Sequence, residues 1–157
     1  MPSALRFEPV ATVVGGRTEP FDDDWEGVEA VIRLDERFEP EALDGLEQFS
    51  HLEVVYVFDR VDPADVETGA RHPRGNADWP RVGIFAQRAK DRPNRIGVSV
   101  CRLLLVDERE LRVAGLDAVD GTPVLDIKPV MAEFAPRGEL RQPDWARELM
   151  TGYWGSS

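Results

Sequence analysis

Short apolar runs recur along the chain, separated by polar or turn-forming residues, and most are too short and too rich in β-branched side chains to be helices. Extended segments are predicted over residues 7–14, 25–34, 52–58, 82–87, 96–106, 111–116 and 124–129. Asp107-Glu108-Arg109-Glu110 reads as the hairpin connection between the fifth and sixth of these. One helix is predicted over 40–49, where Leu43, Leu46 and Phe49 recur on one face and Pro40 suits a first helical turn. A second, shorter helix begins near Pro143. There Trp145, Leu149 and Tyr153 fall four apart, a stripe expected to pack against the sheet or a partner chain rather than to form a site. The pattern is that of a mainly β protein with one or two short helices. At 157 residues the chain is long enough to form one domain with a core that needs no disulfide or structural metal.

Two polar segments interrupt this pattern. Between the apolar runs around Gly83 and Val98 lie Arg88, Lys90, Asp91, Arg92, Pro93, Asn94 and Arg95, a denser set of donors than a solubility loop uses. Pro93 fixes its own φ and holds Arg92 extended, so these side chains can be aimed with little entropy left to lose on binding. The plainer reading is a surface turn with solvated charges. In the second segment Asp120-Gly121 is a turn signal and Pro123 restarts the chain in extended form. Asp117, Asp120, Asp126 and Lys128 punctuate its short apolar runs. Asx turns and the outward face of a strand would account for them equally.

In combination these segments resemble the TrmO, or TsaA-like, family of S-adenosylmethionine-dependent methyltransferases. The resemblance is carried by Phe49-Ser50-His51-Leu52 and its following strand to Val57-Phe58, by Gly83-Ile84-Phe85-Ala86 with Arg88, Arg92-Pro93-Asn94 and Ile96-Gly97, and by Leu116-Asp117 through Asp120-Gly121-Thr122-Pro123-Val124 to Asp126-Ile127-Lys128-Pro129. It spans about residues 6–132 of a single domain covering 1–157, with a short helical tail over 140–157. It implies a compact β-barrel rather than a Rossmann fold, S-adenosyl-L-methionine as methyl donor, a homodimer in the cytoplasm, and methylation of N6 of N6-threonylcarbamoyladenosine in tRNA. Carried across by motif, cofactor contacts fall on Asp59, Arg60, Arg88, Val98, Asp117, Ala118, Val119 and Asp120. Arg92, Asn94 and Lys128 face the acceptor, and Asp126 is the candidate base. A family Pro-Arg-Gln motif in the N-terminal segment is replaced here by Gly16-Arg17-Thr18-Glu19-Pro20 and the acidic run Asp22-Asp23-Asp24. Asp59 stands where histidine is frequent, and Val130 where a tyrosine commonly follows Lys-Pro.

Charge bears on the acceptor. A formal net charge of −11 opposes a phosphate backbone, yet residues 71–95 hold seven basic side chains against Asp78 and Asp91 alone. A dimer would join two such patches. A small-molecule acceptor, or a non-catalytic module that binds the donor or RNA, are the alternatives. The polar stretch 62–81 reads as a long loop, with Arg71, His72, Arg74 and Asn76 as candidate substrate contacts. His51 is expected to cap or bond within the core. The lone Cys101 lies in an apolar run and is expected to be a buried structural thiol. No metal-ligand spacing, GxGxxG fingerprint, signal peptide or membrane-span-length apolar stretch is read in the sequence.

Overall fold

The computed structural model describes residues 3–155. Six strands close into an antiparallel barrel: β1 (Ala11–Val14), β2 (Glu29–Leu34), β3 (His51–Val57), β6 (Ile96–Asp107), β7 (Glu110–Ala114) and β8 (Pro123–Pro129), in the order β1-β2-β7-β6-β3-β8. Closure leaves the barrel with no exposed sheet edge. Two further strands, β4 (Ala70–Arg71) and β5 (Val82–Gly83), pair as a small separate ribbon. One α-helix, α1 (Asp144–Leu149), follows the barrel.

The period-2 alternation of the sequence becomes inside and outside here. Val13, Ile32, Leu52, Val54, Tyr56, Leu111, Val113 and Val124 point inward with Cys101 and Ser99, while Val98, Val100, Glu53 and Lys128 face out. Burial pushes the Cys101 thiol up to about 12, as expected of an inert structural cysteine. Strand β6 is long enough to serve two neighbours: its first half pairs with β3 and its second with β7.

Strands β3, β6 and β8 match or exceed their predicted lengths, whereas β1, β2, β5 and β7 are shorter. Residues before Ala11 leave the sheet, with Leu5 and Phe7 exposed, after Pro9 removes a donor. A turn in which Val28 N–H bonds to the Trp25 carbonyl delays β2 to Glu29. Only the first two residues of the predicted 82–87 strand are paired as a strand, and Ile84–Ala86 forms a 3-10 turn. The predicted helix over 40–49 is instead two 3-10 turns, Pro40–Leu43 and Leu46–Gln48, because Gly45 sits between them at φ 94°. The stretch 62–81 is an ordered loop. It is held by the β4–β5 pairing, by bidentate contact of Arg71 with Asp91, and by Glu67 N–H on the Asp91 carbonyl.

One close approach positions the chemistry. Gly97 lies opposite Tyr56 across the β3–β6 ladder, and a Cβ on it would stand 2.7 Å from the Tyr56 ring and 2.8 Å from that of Phe58. The tyrosine ring therefore lies closer to this backbone than any residue but glycine allows. Gly97→Ala is expected to force the ring away and destabilise the protein by about 1–3 kcal/mol, the usual cost of overpacking. Urea denaturation of the two proteins checks this, and equal midpoints would refute it.

Candidate functional site

The loop between β7 and β8 closes one end of the barrel, and Asp117 is its hub. Tyr56, 2% exposed, reaches out from the barrel interior and donates its hydroxyl to Asp117 Oδ1 at 2.8 Å. Tyr153, from the segment after α1, donates to Asp117 Oδ2. Burial is the main cause raising both phenols far above their ordinary range, and the Asp117 charge adds to it. Both tyrosines consequently stay neutral donors. Arg88 stands close enough for its charge to oppose that rise at both hydroxyls. Its guanidinium is aimed by the Val98 carbonyl at 2.9 Å, and among the described residues no carboxylate pairs with it.

The rest of the loop is braced from behind. Thr122 Oγ donates to the Val119 carbonyl at 2.7 Å, and Gly121 N–H to that of Val13 at 2.7 Å. Ala118 and Val119 are buried, yet among the described residues neither backbone N–H has an acceptor. Asp120 ties the loop to the N-terminal segment: Oδ1 accepts from Gly15 N–H at 2.8 Å, and its own N–H donates to the Arg17 carbonyl at 2.7 Å. Arg60, just past β3, donates to the carbonyls of Thr18 and Asp120. The segment that replaces the Pro-Arg-Gln motif is thus a built wall. Its Arg17 lies 4.3 Å over the Trp25 ring and donates to the Asp23 and Asp24 carbonyls, while Arg74 faces the Asp22 and Asp23 carboxylates.

Residues 21–135 match the family model described as the tRNA-methyltransferase O N-terminal domain. The chain belongs to this family. Human tRNA (adenine(37)-N6)-methyltransferase is 36% identical over 117 residues, 73% of this chain and 26% of that protein. The Escherichia coli enzyme of the same name is 44% identical over 104 residues, 61% of this chain and 43% of its own length. A Pyrococcus abyssi protein named "Probable S-adenosyl-L-methionine-binding protein" is 33% identical over 146 residues, 90% of this chain and 76% of that protein. A crystal structure of TrmO from Pseudomonas aeruginosa superposes with a TM-score of 0.73 at 29% identity, covering 91% of this chain and 62% of the other. The chain therefore spans about a quarter of the human relative and under half of the bacterial one.

Arg60, Arg88, the Val98 carbonyl and Asp117 to Asp120 lie together at one mouth of the barrel. Asp59 adjoins them with an exposed side chain that takes no part in the network. The acceptor candidates sit elsewhere. Val98, Val55 and Asp126 form one row across the outside of β6, β3 and β8, and Val100, Glu53 and Lys128 form the next. Asp126 Oδ2 lies 2.6 Å from Lys128 Nζ, a hydrogen bond that holds the ammonium protonated above its ordinary range. Arg92 and Arg95 donate to the Gln87 and Val61 carbonyls, so both brace the loop in which Asn94, at φ 64°, is exposed.

With Arg71 and Arg74 also paired to carboxylates, the basic segment is largely a structural device. His72 bonds the Trp79 carbonyl at 2.7 Å, and Asn76 closes a local turn onto Asp78 N–H. His51 Nδ1 lies 2.6 Å from its neighbour Ser50 Oγ. A shallow depression bounded by Glu139, Leu140, Arg141 and Arg147 touches none of the candidate residues. Among the described residues there is no group of three His, Cys, Asp or Glu able to hold a metal, and no helix is long and apolar enough to cross a membrane.

Sequence reasoning did not find the two tyrosines. Tyr56 reads as one more inward strand position, and its signal is the glycine that faces it. Because both phenols are harder to ionise in the folded state, their contribution is complete below about pH 10 and is lost above it; Cys101 acts in the same direction from about pH 9. Stability should therefore fall with pH on the alkaline side. Tyr56→Phe is expected to flatten that slope while costing about 1–2 kcal/mol at pH 7, where Asp117 loses a donor. Urea titrations between pH 7 and 11 test both halves, and a Tyr56→Phe slope as steep as wild type would refute the assignment.

Proposed function

We propose that this chain binds S-adenosyl-L-methionine at the barrel mouth and transfers its methyl group to N6 of N6-threonylcarbamoyladenosine in tRNA, acting as a cytoplasmic homodimer. The observation that carries the donor site is Arg88, an exposed guanidinium with no carboxylate partner among the described residues, fixed beside a carboxylate that two neutral phenols hold. The donor set suits the proposed ligand. Arg88 meets its carboxylate through a charge-assisted hydrogen bond. Asp117 and Asp120 supply acceptors for ribose hydroxyls or the ammonium group. The idle N–H groups of Ala118 and Val119 meet the adenine edge. The names of the human and bacterial relatives support the acceptor, and the Pyrococcus name supports the donor.

The sulfonium supplies both electrophile and leaving group, so the protein's part is alignment and the exclusion of water. Arg60 and the wall around Arg17 keep the donor loop rigid against the N-terminal segment. Asp126, with its Oδ2 2.6 Å from Lys128 Nζ, takes the proton lost from N6. Arg92 and Asn94 line the approach to that face, and Asp59 stands at the rim. A second reading, a small-molecule acceptor in place of tRNA, is favoured by the net charge of −11 and by the engagement of Arg71, Arg74, Arg92 and Arg95 with the protein itself.

Methyl transfer from labelled S-adenosylmethionine to total tRNA with or without threonylcarbamoyladenosine, followed by nucleoside mass analysis, separates these readings. Label in the modified adenosine alone is expected, and donor binding without labelled RNA would turn the case to the small acceptor. Arg88→Ala should abolish donor binding in calorimetry with the circular-dichroism spectrum unchanged, and wild-type affinity would remove Arg88 from the site. Asp126→Asn is expected to lower kcat about 100-fold at unaltered donor affinity, the effect typical of losing a general base; an unchanged kcat would exclude it.

A further inference from the structure

The segment following α1 is tied across the mouth of the barrel. Helix α1 ends at Leu149, and Gly152 at φ 78° turns the chain so that residues 152–154 lie along the N-terminal wall. Three consecutive N–H groups of that wall donate to it: Asp24 to the Gly152 carbonyl at 3.0 Å, Trp25 to Tyr153 at 3.0 Å and Glu26 to Trp154 at 2.7 Å. Trp79 Nε1–H donates to Glu148 at 2.8 Å and holds the helix to the loop that carries Arg74. The Tyr153 ring packs edge-on against Trp154, 4.9 Å between centroids. Among the described residues the core cluster includes no member of this segment. Among the described residues of the segment, the polar side chain that reaches the β7–β8 loop is Tyr153, whose hydroxyl ends on Asp117 Oδ2.

A carboxylate has about four lone-pair sites and turns about its Cβ–Cγ bond. With Tyr56 on Oδ1 alone, the Asp117 carboxylate would keep that freedom; with Tyr153 on Oδ2 as well, its plane is set and its remaining lone pairs are aimed. We propose that Tyr153 is a positioning residue of the donor site, acting through Asp117, and that the C-terminal segment is a structural wall of that site rather than an appended tail. The inference rests on the reading that the loop around Asp117 holds S-adenosylmethionine. Reciprocity gives it a second face. If the tail strengthens donor binding, bound donor must strengthen the tail's hold on the wall by the same factor.

The decisive experiment is a double-mutant cycle on the affinity for S-adenosylhomocysteine, measured by calorimetry in wild type, Tyr153→Phe, Asp117→Asn and the double variant. Tyr153→Phe keeps the ring and the three backbone bonds, so its melting temperature should stay within about 4 °C of wild type. It should nevertheless bind about tenfold more weakly, the effect of about one lost hydrogen bond. The double variant should bind no more weakly than Asp117→Asn alone. Wild-type affinity in Tyr153→Phe, with Asp117→Asn weakened, would overturn the tail's role and leave the donor site standing. Wild-type affinity in Asp117→Asn would overturn both, and additive losses would show that Tyr153 does not act through Asp117. Hydrogen exchange on the wild-type protein gives an answer that needs no variant to fold. The amides of Asp24, Trp25 and Glu26 should gain protection when S-adenosylhomocysteine binds, and unchanged protection would overturn the proposal.

Discussion

A carboxylate can stand at the mouth of an apolar barrel only if donors reach it, and the Asp117 carboxylate is met by one hydroxyl from inside the barrel and one from outside. Much of that end of the molecule follows from this requirement. Tyr56 can extend along the barrel axis only because Gly97 lets its ring lie on bare backbone. Tyr153 can arrive only because a left-handed glycine turns the chain after α1, and because the N-terminal segment offers it a row of unpaired N–H groups. The acidic run Asp22-Asp23-Asp24, which looks at first like a solubility feature, is the anchor for that row through Arg17 and Arg74.

The barrel was legible because its rule is local. Inward and outward positions alternate along each strand, and Val13, Ile32, Val54, Val113 and Val124 announce the inner face without reference to any neighbour. The strand ends were not, since they depend on single backbone features: Pro9 before β1, the turn at Trp25 before β2, and a left-handed Gly45 where a helical stripe seemed to continue. Order in the 62–81 stretch rests on Arg71 and Asp91, which lie twenty residues apart and carry no local pattern. Of the site, the loop around Asp117 and the guanidinium of Arg88 were visible as motif positions. Tyr153 was read as part of a helical stripe with Trp145 and Leu149, because spacing cannot show that the helix stops four residues short of it.

Arginine is used in two ways in this chain: Arg33, Arg37, Arg71, Arg74 and Arg147 pair with carboxylates, and a second set does not. Arg17, Arg60, Arg88, Arg92, Arg95 and Arg109 all donate to backbone carbonyls rather than to carboxylates. A guanidinium on a carbonyl is an ion–dipole contact of fixed, short range, whereas attraction or repulsion between separate surface charges extends across a Debye length. The positive charge is thus built into loop geometry, while many of the acidic side chains stand in solvent without neutralising partners. Dissolved salt then acts on the two populations unequally. Counterions relieve the crowding of the free carboxylates and leave the carbonyl-bound arginine braces in place, so added salt loosens exposed pairs such as Arg33–Glu110 before it reaches the loops at the barrel mouth.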